Sequence, residues 1–165
     1  MEFEWRSIRD FPGYEVSEAG SVRNMETGRV MSLLVNQRGI VNVGLTRNLK
    51  QYKRSVSLLV AESFIPVRPG QNFNTPINLD GDRFNNSVAN LMWRPRWFAT
   101  EYFRQFITGP VGFTRPIQEL GTKERFETSW EAALKFGLLD YEILQATMNR
   151  TYVWPTYQRF RVIHE

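Results

Sequence analysis

Between Asn78 and Trp93 the chain reads NLDGDRFNNSVANLMW, and this stretch limits the possible folds more than any other. Asp80-Gly81 is a strong turn signal, because the Asp side chain bonds the backbone ahead of it while Gly takes a positive φ. Apolar Ile77 and Leu79 lead into the turn, and Leu91-Met92-Trp93 closes the stretch. Three amides in between, Asn85, Asn86 and Asn90, suit side-chain bonds to backbone that tie a loop down. Contact with a substrate is the other use open to them. Asn86-Ser87 predicts a cap on a short helix through Leu91. The expected shape is strand, turn, strand, helix.

The flanks predict an α+β chain. Residues 4 to 54 read as short strands: Trp5 to Arg9, a turn at Phe11-Pro12-Gly13, alternation from Tyr14 to Ser17, a turn at Ala19-Gly20, then Ser21-Val22-Arg23. Gly28 and Gly39 mark further turns, and Ile40 to Leu45 alternates as a half-buried strand does. Leu58, Leu59, Ala61 and Phe64 have helical spacing, so Ser57 to Phe64 is a predicted helix that Pro66 ends. The stretch 67–76 reads as loop, and Phe98 to Phe106 as a further helix. ITGPVGFT, residues 107–114, has two Gly, one Pro and no charge, as linkers do. Beyond it the pattern gives a strand from Pro116 to Leu120, a turn at Gly121-Thr122, and a partner strand from Glu124 to Glu127. A helix capped by Ser129 and stopped by Gly137 follows, then a helix capped by Asp140 from Tyr141 to Met148, and a closing strand from Tyr157 to Ile163. The division is thus 1–106, a linker at 107–114, and 115–165.

Charge narrows the function classes. The formal net charge is +4 with a pI of about 9.6, which permits nucleic-acid binding without demanding it. The excess is local: Arg38, Arg47, Lys50, Lys53 and Arg54 lie in a run with no acidic residue. That run is a set of phosphate contacts or a solvated hairpin with basic ends. Arg94, Arg96 and Arg104, beside Trp97, Tyr102 and Phe103, suit an amphipathic helix sealing the core, and the resemblance set out below implies contact with a strand of nucleic acid for the same residues. There is no cysteine, hence no disulfide or thiolate metal site, which fits a cytoplasmic protein. The N-terminal MEFEWRSIRD has no apolar h-region, no run approaches the length of a membrane span, and no Walker loop, nucleophile elbow or HExxH occurs.

Three sets of residues carry a resemblance. Trp5-Arg6-x-Ile8, Phe11 to Ser17 (FPGYEVS) and Gly20 to Arg23 (GSVR) resemble the NUMOD-type module that precedes the core of many phage and intron-encoded HNH homing endonucleases. Asn78-x-Asp80-Gly81, Asn85-Asn86 and Asn90-Leu91-x-Trp93 resemble the HNH core itself, whose frame begins with histidine. Ser129 to Ala133 with Gly137, a short second helix and a closing Phe-Arg strand resemble the C-terminal helix-turn-helix repeat of such enzymes. The implied fold is a β-rich N-terminal module, a degenerate ββα-metal core, and a small α/β helix-turn-helix-like module.

The resemblance also implies a chemistry, and this chain departs from it. An HNH nuclease cuts DNA with one divalent metal, a histidine general base, a metal-holding side chain just before it, and a late Asn or His. Those positions fall on Asn78, Ile77 and Asn90, and the histidine that opens the preceding helix falls on Ser57. A carboxamide takes no proton near neutral pH, and Ile has no ligand atom. The one histidine, His164, is next to last and has no place in the frame. The expectation is a catalytically inactive phage protein, in the host cytoplasm, that binds DNA or structured RNA with no cofactor and no membrane contact. Docking on a host machine such as the ribosome is a second reading, because the helix from Tyr141 is acidic at its start and Leu138, Leu139, Tyr152 and Trp154 lie near it; ordinary core packing accounts for these as well. A third is a live nuclease with a divalent metal on Asp80 or Asp82.

Overall fold

The computed structural model describes residues 2–67 and 72–164; positions 68–71 of the expected loop at 67–76 lie outside the described residues. The chain is mixed α+β and divides into two compact units, 1–96 and 97–165. The division falls ahead of the stretch 107–114.

In the first unit β1 (Trp5–Ile8), β2 (Phe11–Ser17) and β3 (Val22–Asn24) form one antiparallel sheet. Phe11-Pro12-Gly13, expected as a turn, is the start of β2 instead. The turn sits at Asp10, which takes a φ of 67°. The β1–β2 register jumps from Ser7↔Glu15 to Ile8↔Phe11, so Pro12 and Gly13 occupy a bulge where a missing N–H and a missing side chain do no harm. The second sheet is β4 (Leu33–Val35), β5 (Val41–Arg47) and β6 (Lys50–Ser55), in that order. Helix α1 (Val56–Phe64) follows β6 directly and buries Val56, Leu59, Val60 and Ala61. Its core partners include Ile8, Phe11, Val16, Val22, Val43 and Leu45. Each large apolar side chain so buried contributes about 1.5–3 kcal/mol.

A hairpin of β7 (Thr75–Asn78) and β8 (Leu91–Arg94) completes the unit. The short helix expected through Leu91 is a single 3-10 turn, Val88–Asn90, and Ser87 makes no side-chain cap bond there. Asn90 ends that turn, and Leu91-Met92-Trp93 is strand because its period is two: Leu91 and Trp93 are buried, Met92 between them is half-buried, and the backbone pairs with β7. Trp93 also donates from Nε1 to the carbonyl of Ile65 at 2.9 Å.

The second unit opens with α2 (Arg96–Thr108), longer than expected at both ends; its first residue falls in the first unit. The sheet β10-β9-β11 follows, from β9 (Ile117–Glu119), β10 (Arg125–Phe126) and β11 (Phe160–Val162). Helices α3 (Ser129–Phe136) and α4 (Asp140–Met148) lie between β10 and β11 in sequence and bury Ala132, Ala133, Ile143 and Ala146 around Ile117 and Phe160. Gly137 ends α3 in the left-handed region, as its position predicts. The two caps differ from expectation. Thr128, not Ser129, caps α3, accepting from the Glu131 N–H. Asp140 is the first residue of α4 rather than its cap. Its buried carboxylate accepts from the Val111 and Gly112 amides at 2.9 Å each and from the Ser129 hydroxyl. Leu138 is fully buried and Trp154 and Leu139 half-buried, so only Tyr152 of that expected patch is exposed.

Candidate functional site

Two features of the first unit carry the chemistry. The first is the loop between β7 and β8, where every asparagine of the motif is spoken for. Asp80 accepts from the Asp82 N–H at 2.9 Å with Oδ1, and Gly81 has a φ of 77°, as a D-G turn requires. Asn90 donates from Nδ2 to Asp80 Oδ1 at 2.8 Å and to the Asn85 carbonyl at 2.9 Å, and its Oδ1 accepts from the Asp80 N–H. Asn85 donates to Asp80 Oδ2 at 2.9 Å. Burial raises the Asp80 pKa, but the bonds from Asn85, Asn90 and the Asp82 backbone outweigh it and hold the carboxyl below its usual value.

Asn78 lies at the end of β7, 3% exposed, and Ile77 before it is 0% exposed. Both Asn78 amide protons turn inward, to the Asn85 carbonyl at 2.9 Å and to Asn86 Oδ1 at 2.8 Å. Asn86 in turn donates to the Arg83 carbonyl, and its backbone carbonyl stands so near Gly20 that a Cβ there would meet it at 3.2 Å. The loop is thus tied to the turn between β2 and β3. This donor set does not fit a hydrolytic metal: Ile77 is hydrocarbon, Asn90 spends its amide and its carbonyl on the loop, and both Asp80 oxygens already accept from the chain. Among the described residues no group of three or more His, Asp or Glu stands together to hold an ion. The position where the HNH frame has its proton acceptor is filled by a buried structural amide.

The second feature is the β5–β6 hairpin. Register sets Arg47 opposite Lys50, Leu45 opposite Tyr52 and Val43 opposite Arg54, so Arg47, Lys50 and Arg54 share one face with Tyr52. Phe11 and Tyr52 meet edge to face at 5.7 Å, and the guanidinium carbons of Arg47 and Arg54 lie about 5 Å from both rings. Arg47 also donates to the Asp10 carbonyl at 3.1 Å, and Lys50 lies 5.5 Å from the Tyr52 ring. Three cations are therefore held on an aromatic pair. Sequence reasoning named the cations and missed Phe11 and Tyr52, which a period-two count along β6 would have exposed for Tyr52 alone. Lys53 points to the other face of β6 and is exposed, and Arg38 is exposed in the β4–β5 turn at the far end of β5, roughly 20 Å from Arg47 at strand rise. The basic run is thus split between two faces and two ends. Arg83, half-buried in the asparagine loop with burial drawing its guanidinium below its ordinary value, is a further cation that the sequence did not single out.

The remaining basic candidates separate. Arg96 is exposed at the start of α2. Arg104 is exposed but paired with Glu101 at 2.8 Å, one helical turn away. Arg94 is a correction: it is only 4% exposed and donates to the Trp93 carbonyl at 2.8 Å, so its guanidinium serves the interior rather than a phosphate. His164 is exposed near the end of the chain.

Residues 4–46 match the NUMOD4 motif. Two proteins of Acanthamoeba polyphaga mimivirus, each described as an uncharacterized HNH endonuclease, are similar to this chain. One is 31% identical over 93 residues, 56% of this chain and 27% of its own length. The other is 30% identical over 90 residues, 54% of this chain and 22% of its own length. The chain therefore spans about a quarter of the length of these relatives. In fold it is similar to the HNH homing endonuclease I-HmuI, a protein described as binding and cleaving DNA, with a TM-score of 0.54 and 21% identity over 98% of this chain and 99% of that one. Motif, relatives and fold agree: residues 4–46 carry a NUMOD4 motif, about half of the chain is similar in sequence to proteins described as HNH endonucleases, and the fold is similar to that of the HNH homing endonuclease I-HmuI.

Proposed function

We propose that this chain binds nucleic acid, duplex DNA in the first instance, and does not hydrolyse it. The observation that supports the second half is Asn78. An amide whose two protons are bonded inside the loop neither accepts a proton from water nor swings out to do so. The buried hydrocarbon of Ile77 beside it supports the same reading. What remains of the nuclease frame is its scaffold, and the amides that survive hold that scaffold together.

The first half rests on the cations. Arg47, Lys50 and Arg54 are held by aromatic rings and a carbonyl, so less side-chain freedom is lost when they meet phosphate. Lys53, Arg38 and Arg96 add exposed charge. The relatives described as HNH endonucleases, and the DNA named for I-HmuI, make DNA the first polymer to try. Fluorescence anisotropy with duplex DNA and with structured RNA, over a range of salt, is the test. Binding to DNA that weakens linearly on a log–log salt plot supports the proposal, with a slope of roughly −0.9 per phosphate met. A slope near zero on both polymers ends it.

A further inference from the structure

The tip of the β5–β6 hairpin holds a residue that its backbone disfavours. Arg47 pairs with Lys50, which leaves Asn48 and Leu49 as a two-residue turn. Both have positive φ, 51° and 64°, as in the type I′ turn that fits the twist of a hairpin. Asn tolerates that conformation, and the second position is the one where Gly is strongly preferred. A leucine there brings its Cβ against the following carbonyl. Packing does not offset the strain, because Leu49 is 102% exposed whereas Leu45 on the same hairpin is fully buried. A branched apolar side chain that strains the turn and touches nothing of its own fold contributes no stability to it.

Its surroundings indicate what it meets. Arg47 and Lys50 flank the tip directly, and both lie against the Tyr52 ring, at 4.9 and 5.5 Å. From Arg38 to Arg54 there is no acidic residue. The tip is therefore an apolar point between two restrained cations, which is complementary to a groove with a phosphate backbone on either side and stacked bases below. We propose that Leu49 is a wedge: with Arg47 and Lys50 on the phosphates, its isobutyl group enters a base step of duplex DNA and partly unstacks it. This rests on the nucleic-acid reading above and adds a site and a deformation to it. The apolar area that leaves water when the leucine enters offsets the unstacking.

Two variants of the full chain, Leu49→Gly and Leu49→Met, compared with the unaltered protein, test this. The probes are a duplex DNA oligomer with 2-aminopurine at successive positions, whose fluorescence rises when its neighbours unstack, and a structured RNA hairpin. Leu49→Gly relaxes the turn, so its melting temperature is expected to equal or exceed that of the unaltered chain. Its affinity for the duplex falls about tenfold, the part of the leucine's burial that partial unstacking does not consume, its salt slope stays the same, and the 2-aminopurine signal disappears. Leu49→Met keeps an apolar tip and retains most of the signal. The wedge is overturned if Leu49→Gly binds the duplex like the unaltered chain, if the unaltered chain leaves 2-aminopurine unchanged, or if the loss appears only with RNA. Salt-dependent binding that is blind to Leu49 removes the wedge and leaves the phosphate grip standing. Absence of any salt-dependent binding by the unaltered chain removes both.

Discussion

Asn78→Ala separates a structural amide from a vestige. The side chain is 3% exposed and donates at 2.9 Å to the Asn85 carbonyl and at 2.8 Å to Asn86 Oδ1. Alanine removes both bonds, but the consequences differ. The Asn85 carbonyl keeps the Asn90 amide at 2.9 Å, so it is still paired. Asn86 is 5% exposed, and its Oδ1 loses the donor that faces it. One buried acceptor left without a partner costs about 1–3 kcal/mol, and the vacated volume adds roughly 1 kcal/mol. The expected loss is thus about 2–4 kcal/mol, which for a unit of this size is a fall of roughly 10–20 °C in melting temperature. Urea denaturation followed by tryptophan fluorescence measures it, with the slope m checked for constancy. Asn78→His is expected to destabilise as well, since an imidazole in the same space does not reproduce two donors aimed at two acceptors. A change under about 0.5 kcal/mol for Asn78→Ala, the range of ordinary surface substitutions, would refute the reasoning that the motif's first residue has become part of the scaffold.

Asp80 gives a pH dependence. Its folded-state pKa lies below the ordinary value of 3.8, so its contribution is complete above that value and is lost as pH falls through the lowered one. Asp80→Asn should therefore flatten the acid limb of a stability-versus-pH curve below about pH 4, and an unchanged limb would count against the bonds to Asn85 and Asn90. In the second unit, Asp140→Ala leaves the Val111 and Gly112 amides without their acceptor and the Ser129 hydroxyl with only the Phe113 carbonyl, at 3.4 Å. The expected effect is a loss of about 3 kcal/mol or more, visible as a large drop in the urea midpoint. Arg47→Ala should reduce the salt slope of duplex binding by roughly one and Arg94→Met should leave that slope alone, because the first guanidinium is on the hairpin and the second is buried.

What could be read from the sequence followed from how local the determining contacts are. The D-G turn and the stop at Gly137 depend on residues within a few positions, so Asp80-Gly81 and the left-handed glycine were legible. The strand at Leu91–Arg94 was hidden because Asn86-Ser87 carries a helix-cap signal, while the partner that makes it a strand, β7, lies across the loop. The α3 cap lies one residue ahead of where the sequence puts it, since Thr128 and Ser129 both carry a hydroxyl. The tertiary partner of Ser129, Asp140, decides between them. Arg94 looked like a phosphate contact because charge alone does not report burial. The family frame located Asn78, Ile77 and Asn90 in the chain, but which acceptors their atoms meet, and that Asn85 and Asn86 close the loop on Asn78, required coordinates.

The most direct test of the central claim is a supercoiled-plasmid nicking assay with magnesium or manganese, run on the unaltered chain beside an Ile77→Asp, Asn78→His double variant. The account predicts that the unaltered chain retards the plasmid without relaxing it, at any concentration that saturates binding. Robust, metal-dependent nicking by the unaltered chain, absent from a parallel preparation of an unrelated protein, would contradict it.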